Sequence, residues 1–297
     1  MNFKIAALVV TYNRLPLLKE VIDGLRKQTY SNMDIIVVNN GSTDDTSSWL
    51  KQQNDIITIN QGNTGGAGGF NTGMRHIAEH DYDACWLMDD DVICSPNALE
   101  ELLYAIQKNN NIGFVCSKVI GIDGTPMNVP MVDQRKRGNN YQNWMDYLDC
   151  QMVGVEACTF VSVLIPTRVI KEVGLPYKEY FIWGDDSEYT TRITRKYQAF
   201  LAAKSIVTHK RAIQGDLRFD TEDNPIRIKN FFYYFRNQTH YAYLYRGYLM
   251  YLKRIIIVTL LGFRMLFTGK FKKAKVAFSS QLNAMFFRPK VEHVKND

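Results

Sequence analysis

An α/β fold is what this sequence predicts: a Rossmann-like, mostly parallel sheet flanked by helices, followed by a helical C-terminal region. Three observations carry that expectation. Short apolar runs alternate with helical patterns over the first hundred residues, as βαβ units require. Those runs are continuous rather than alternating, as in strands buried on both faces. From Pro225 onward the pattern changes to long helical periodicities rich in Phe and Tyr. The chain has 297 residues, enough for a domain with an appendage, and the expected division is 1–224 and 225–297.

The elements follow in order. Residues 3–10 read as a buried strand ending at Thr11-Tyr12-Asn13-Arg14. Leu17, Leu18, Val21, Ile22 and Leu25 then fall at helical spacing. Residues 35–38 are a second strand, ending at Asn39-Asn40-Gly41-Ser42, and a helix opens at Thr43 and runs through Leu50. A third strand is 56–59. Residues 62–69 read as a Gly-rich loop entering a helix near 70–79. Residues 84–88 are a fourth strand, and it ends in Asp89-Asp90-Asp91. Further on, a helix is expected near 96–108, strands at 112–120 and 158–165, and a polar helix at 185–197. Residues 199–208 are mixed in character, and 121–150 lacks periodicity and reads as a mobile loop or an insertion. In parallel sheets ligands bind beyond the carboxyl ends of the strands. The polar clusters at 11–14, 39–44, 62–71 and 89–91 all fall at such ends.

Composition narrows the setting. Five cysteines without CxxC spacing point to reduced, mostly buried thiols. Residues 1–4 lead straight into an apolar run too short for a secretory segment, so the expected location is the cytoplasm. Residues 1–225 carry 22 Lys/Arg against 28 Asp/Glu, whereas residues 226–290 carry thirteen Lys/Arg and no acid. A basic segment suits nucleic acid or an anionic membrane. The acidic body and the absence of a recognisable RNA or DNA module exclude nucleic acid. The uncharged run between Arg254 and Arg264 is nine residues, short of the ~20 needed to span a bilayer. It reads instead as an amphipathic helix lying on an anionic membrane, compatible with a homo-oligomer.

Two acidic clusters carry the chemistry. Three adjacent carboxylates at a buried strand end repel one another unless a cation neutralises them. Hard divalent cations take oxygen ligands, and at strand spacing Asp89 and Asp91 share a side. The plain alternative is a solvated acidic turn. Trp183-Gly184-Asp185-Asp186, with Arg192 downstream, opens the polar helix. An Asp there either caps the helix or serves as a general base. The plain reading of Trp183 is core packing. The Gly-rich stretch lacks GK[ST] and a clean GxGxxG, so it is not a nucleotide triphosphate loop.

Together, Thr11-Tyr12-Asn13-Arg14, VNNGSTD, NTGGAGGFNTG and Asp89-Asp90-Asp91 resemble the family 2 glycosyltransferases of the GT-A fold, over roughly residues 3–210. The GGAGGF stretch is similar to the galactofuranosyl- and rhamnosyltransferase branch. The resemblance implies an inverting, metal-dependent glycosyltransferase. It assigns Mn²⁺ or Mg²⁺ to Asp89, Asp91 and His209, and the donor sugar to Asp90. Thr11, Tyr12, Asn13, Arg14 and Asn40 would contact the nucleotide, and Asn63, Gly65, Gly66 and Asn71 the donor. Asp186 would be the catalytic base, with Trp183 and Asp185 at the acceptor or sugar. The implied donor is UDP-galactofuranose or dTDP-rhamnose. The implied acceptor is a lipid-linked or growing cell-surface glycan, met on the inner face of the cell membrane. The family usually has an acid at one or both of positions 39 and 40; here both are Asn, which leaves the base open between uracil and thymine. A sugar nucleotidyltransferase would be expected to carry a basic, Gly-rich first loop, and Thr11–Pro16 has one Arg and no Gly. A degenerate sugar-binding module would have no need of both acidic clusters.

Overall fold

Strand β1 (Ile5–Thr11) shows why the fold forms. All seven of its residues are buried. Ile5, Ala7 and Val9 face one core, and Ala6, Leu8 and Val10 face the other. A strand can be apolar on both sides only when helices cover both faces of the sheet. Helix α1 (Leu15–Arg26) covers the first face with Leu18, Val21, Ile22 and Leu25. Each such side chain contributes about 1.5–3 kcal/mol by burial. Helix α3 (Gly65–Ala78) covers the second face with Phe70, Met74 and Ile77.

The computed structural model describes residues 2–136, 138–211 and 217–294. The outermost residues of the two expected domains, 1 and 295–297, lie outside them. The remaining elements are β2 (Met33–Asn39), α2 (Thr46–Leu50), β3 (Ile56–Asn60), α3 (Gly65–Ala78), β4 (Ala84–Asp89), β5 (Val92–Cys94), α4 (Ala98–Ile106) and β6 (Ile112–Ile120). They are followed by β7 (Met131–Val132), β8 (Met152–Ala157), β9 (Val163–Pro166), α5 (Thr167–Val173), α6 (Asp185–Thr194) and β10 (Gln198–His209). The sheet order is β3-β2-β1-β4-β9-β6-β10-β8-β7, and β5 pairs with β10. Strands β3, β2, β1, β4, β6 and β10 run the same way, with β9 antiparallel between β4 and β6. The expected mostly parallel sheet with flanking helices is therefore present.

Three local expectations change. The glycines of 65–69 lie inside α3 rather than in a loop. A Cβ on Gly69 would sit 2.4 Å from Val10 Cγ1, and one on Gly73 would sit 2.3 Å from Leu8 Cδ1. The glycines thus let α3 lie close on β1, a packing demand that sequence alone does not separate from loop freedom. Residues 199–208 belong to β10, which pairs with β6, β8 and β5. Of the expected strand at 158–165 only residues 163–165 lie in a strand, β9, and 158–162 form the break that follows β8.

The chain divides into two compact units. Unit 1 comprises Met1–Lys178, Asp186–Ala212 and Val291–Asp297. Unit 2 comprises Glu179–Asp185 and Ile213–Lys290. Unit 2 is built on α7 (Pro225–Tyr245), α8 (Tyr248–Phe267) and α9 (Phe271–Phe286). Asn224 caps α7 by accepting from the backbone N–H groups of Ile226 and Arg227 at 3.0 and 3.1 Å. Gly262 lets α8 approach Phe278 of α9. Phe219, Phe231, Phe235, Val258 and Met265 form its core. Among the described residues no helix is long and apolar enough to cross a membrane. All five cysteines are free, and all but Cys150 are buried.

Candidate active site

The sheet register lines up polar residues along one edge. Thr11 stands beside Asn39, Asn39 beside Asn60, and Asp89 beside Val10. Strand β4 then ends, Asp90 and Asp91 make the turn, and β5 leaves to pair antiparallel with β10. In that pairing Val92 stands opposite His209, and the Lys210 N–H donates to Asp91 O at 2.8 Å. The β5–β10 ladder is what carries His209 to the aspartates from more than a hundred residues away. Asp89, Asp91 and His209 each offer a ligand atom, and these atoms lie within 4.8 Å of one another.

The triplet is divided by its partners. Asp90 is 5% exposed and turns toward β1. It accepts from Thr11 Oγ1 at 2.8 Å and from Arg14 Nη1 at 3.2 Å. Asp91 accepts from the same Arg14 Nη1 at 2.9 Å through Oδ2. Its Oδ1 is buried and makes no hydrogen bond, although His209 Nε2 stands 3.1 Å away. Burial pushes the Asp90 carboxyl up, with Arg14 and Thr11 pulling against it. Burial also raises Asp91, but His209 and Arg14 outweigh it and hold that carboxyl low. Burial works against the Arg14 charge, and Asp90, Asp91 and Asp89 together overcome it. Two neighbouring carboxyls are thus driven apart by their surroundings.

These residues fit a divalent cation. His209 Nε2 and Asp91 Oδ1, 3.1 Å apart and not aligned as a hydrogen bond, are placed to share a cation or a proton. Adjacent ligands of a six-coordinate ion with bonds of about 2.1 Å are about 3 Å apart.

The residues expected at the nucleotide and donor mostly brace the loops around this edge. Asn13 adopts φ +54° and accepts from the Thr43 and Asp44 N–H groups at 2.7 and 3.3 Å. Asn40 is buried; it donates to Gly65 O at 2.9 Å and accepts from Gln61 Nε2 at 2.8 Å. Asn63 accepts from the Gly65 N–H at 2.9 Å at the start of α3. Gly65 has φ +74°, and a Cβ on Gly66 would meet open space. Asn71 lies on α3 and donates to Pro176 O at 2.8 Å. Tyr12 is exposed.

The second acidic cluster opens α6. Asp185 is buried at the first position of the helix. Asp186 follows, half-buried, and its Oδ1 accepts from the Ser187 N–H at 2.6 Å. Burial pushes the Cys158 thiol up, and Cys116 and Asp186 add to that shift. Arg192, one and a half turns on, pairs with the fully buried Glu188 at 2.5 Å and donates to Leu175 O at 2.9 Å. The Arg192–Leu175 bond ties α6 to the segment after α5. Within unit 2, Phe181, Trp183 and Gly184 have φ of +63°, +62° and +97°. Left-handed aromatics are uncommon and need outside support. Asn237 supplies it, donating to the carbonyls of Tyr180, Ile182 and Trp183 at 2.9–3.2 Å. The Trp183 ring packs edge-on to Phe231 at 5.4 Å.

Sequence reasoning missed several contributors. Asn128 contacts His209, Gln61 steadies Asn40, and Asn237 holds the Trp183 segment. Polar residues without periodicity give no signal of such long-range contacts.

Residues 6–157 match the profile of the family described as glycosyl transferase family 2. Over 205 residues the chain is 30% identical to galactofuranosyltransferase GlfT1 of Mycobacterium tuberculosis, covering 66% of each chain. It is 25% identical over 205 residues to an uncharacterized glycosyltransferase of Haemophilus influenzae, covering 64% of this chain and 60% of that one. The chain therefore spans about two thirds or less of the length of these relatives. In structure it is similar to GalNAc-T7 solved with UDP, GalNAc and Mn²⁺, with a TM-score of 0.61 at 13% identity. That match covers 81% of this chain and 47% of the other, and it shows the shared GT-A fold.

Proposed function

The chain belongs to glycosyl transferase family 2, and from that premise we propose that it is an inverting, metal-dependent glycosyltransferase using a nucleotide diphosphate sugar. The observation that carries the proposal is the convergence of Asp89, Asp91 and His209, with a buried Asp91 oxygen that no hydrogen bond satisfies. An oxygen-rich set with one imidazole suits Mn²⁺ over Mg²⁺. The cation supplies charge that stabilises the departing diphosphate. Asp90 meets the donor sugar, and the 11–14 and 40–71 segments hold the nucleotide and donor. Asp186 takes the proton of an acceptor hydroxyl as that oxygen attacks the anomeric carbon. The bond to the diphosphate breaks on the opposite face, so configuration inverts. UDP-galactofuranose is the favoured donor, supported by the similarity to GlfT1, and dTDP-rhamnose is the alternative. Incubation with UDP-galactofuranose and Mn²⁺ is expected to release UDP when a glycan acceptor is present, and chelator is expected to stop it. UDP release at full rate in chelator would overturn the metal assignment.

The acceptor is proposed to be lipid-linked, met at the inner face of the membrane through unit 2. Leu249, Ile256, Leu260, Phe263 and Phe267 follow one another at steps of seven, four, three and four residues on one face of α8, and all are exposed. On α9, Phe271, Leu282 and Phe286 are exposed as well. Residues 226–290 contain no acid to complement their thirteen basic residues in a second copy. That imbalance favours an anionic bilayer over self-association.

A further inference from the structure

We propose that Asn128 is a positioning residue that holds His209 in the tautomer able to bind a metal. This rests on the assignment of Asp89, Asp91 and His209 as metal ligands. Asn128 lies in the polar stretch 121–150, which has no pattern to suggest a role. The geometry gives it one. Asn128 Oδ1 is 2.8 Å from His209 Nδ1. An amide oxygen only accepts, so the proton of this contact resides on Nδ1. A neutral imidazole carries a single N–H, which leaves the lone pair on Nε2. Nε2 is the atom that stands 3.1 Å from the unsatisfied Asp91 Oδ1. With Nδ1 committed to Asn128, the space between Nε2 and Asp91 is left to a cation, or to a proton when the cation is absent. Metal-bound histidines commonly use their second nitrogen in this way.

The backbone is shaped to deliver this side chain. After β6 the chain turns at 121–125, where Gly121 N–H donates to Thr125 O at 2.7 Å and Asp123 Oδ1 accepts from the Thr125 N–H at 3.0 Å. It then runs back beside β6, with the Met127 N–H donating to Val119 O at 3.0 Å. Strand β10 lies along β6 there, Val207 opposite Val119 and Thr208 opposite Ile120. Asn128 follows at φ +46°. Asn tolerates that left-handed conformation better than most residues do.

The left-handed backbone offers a rival reason for an Asn, and two substitutions separate the reasons. Asn128→Gly keeps the conformation but removes the acceptor. Asn128→Asp keeps both. The test is a titration of the full chain with Mn²⁺ alone, without nucleotide, reading free Mn²⁺ by electron paramagnetic resonance, with thermal melts to confirm folding. Asn128→Gly is expected to bind Mn²⁺ about 10–100-fold more weakly, and Asn128→Asp at least as tightly as the parent. Equal binding by the parent and the Gly variant would overturn the proposal while leaving the metal site intact. So would an Asp variant as weak as the Gly variant. No Mn²⁺ binding by the parent would instead remove the metal assignment, and this proposal with it. A second readout needs no variant. Nitrogen-15 shifts of metal-free protein should show His209 protonated on Nδ1; an Nδ1 that carries no proton would refute the assignment.

Discussion

Unit 1 buries carboxylates, and unit 2 exposes Leu and Phe. In unit 1, Asp90 and Asp91 are each 5% exposed at the end of an apolar strand. In unit 2, Leu249 and Phe267 are 84% and 85% exposed on a helix that has its own buried side. Each region reverses the ordinary partition of side chains between core and water, and each reversal is unfavourable for the chain alone. The difference lies in how each is offset. The aspartates keep internal partners in Thr11 and Arg14 and leave one oxygen unsatisfied. Residues 226–290, which include α8, carry thirteen basic residues and no acid. The first region is therefore pre-organised for a small, hard ligand. The second is the face proposed above to meet an anionic membrane.

The comparison is tested hardest at Asp186, the acid that unit 1 places at the start of α6. Asp186→Asn is expected to lower turnover by about 10²–10⁴-fold while the affinity for nucleotide sugar stays within error. Calorimetry with the donor and a stopped assay for product separate the two effects. Turnover at the parental rate would assign Asp186 to helix capping alone, and unit 1 would then hold one functional acidic cluster rather than two.

Unit 2 is tested on α8. Replacing Leu260 and Phe263 with Glu is expected to weaken sedimentation with anionic phospholipid vesicles by about 10²–10⁴-fold, since each of the two side chains contributes about 1.5–3 kcal/mol when it leaves water. Both residues are exposed, so the melting temperature should not fall. Unchanged vesicle binding would break the comparison on its unit 2 side. Loss of a dimer in sedimentation velocity, in place of lost vesicle binding, would assign the face to a second copy.

A smaller effect is expected where the sheet carries the site. Gly69→Ala places a methyl 2.4 Å from Val10 Cγ1, and Val has few rotamers to escape into. The expected destabilisation is about 1–3 kcal/mol, read by denaturant unfolding. No loss would return the glycines to the looser role that sequence suggested.

Some of this was legible in the sequence for physical reasons. Strand β1 is buried on both faces, and its unbroken apolar run says so without any tertiary information. Asp89 and Asp91 sit at a strand end, where alternation alone pairs them. The α3 glycines read as a loop because, in sequence, a glycine needed for close packing and one needed for a loop look alike. Asn13 and Asn40 were expected to meet a nucleotide, and the structure engages both with neighbouring loops. The contact of Asn128 with His209 spans 81 positions, and a polar loop has no periodicity to foretell it. Residues 291–294 give no hint of their destination, yet Leu175 N–H donates to Glu292 O at 2.8 Å and Val294 enters the core of unit 1.

That returning segment supplies the finest test. Within unit 1, Glu292 forms ion pairs with Arg75 of α3 and with Lys178. Lys178 holds the Glu292 carboxyl below its ordinary value, burial opposing it and Arg75 adding to it. A carboxyl lowered in the folded state stabilises the fold above its unfolded value and loses that contribution as pH falls through the lower folded one. Glu292→Gln should therefore destabilise the protein at neutral pH, by less than about 1 kcal/mol because the pair is partly exposed. The difference from the parent should shrink once pH drops below the ordinary carboxyl value of 4.5. Unfolding curves collected from neutral to acid pH read this directly. A difference that persists in acid would mean that Glu292 acts through packing and its backbone rather than its charge. Unit 1 would then secure its last segment by apolar contact, through Val294, just as unit 2 is proposed to use its apolar face to secure a partner.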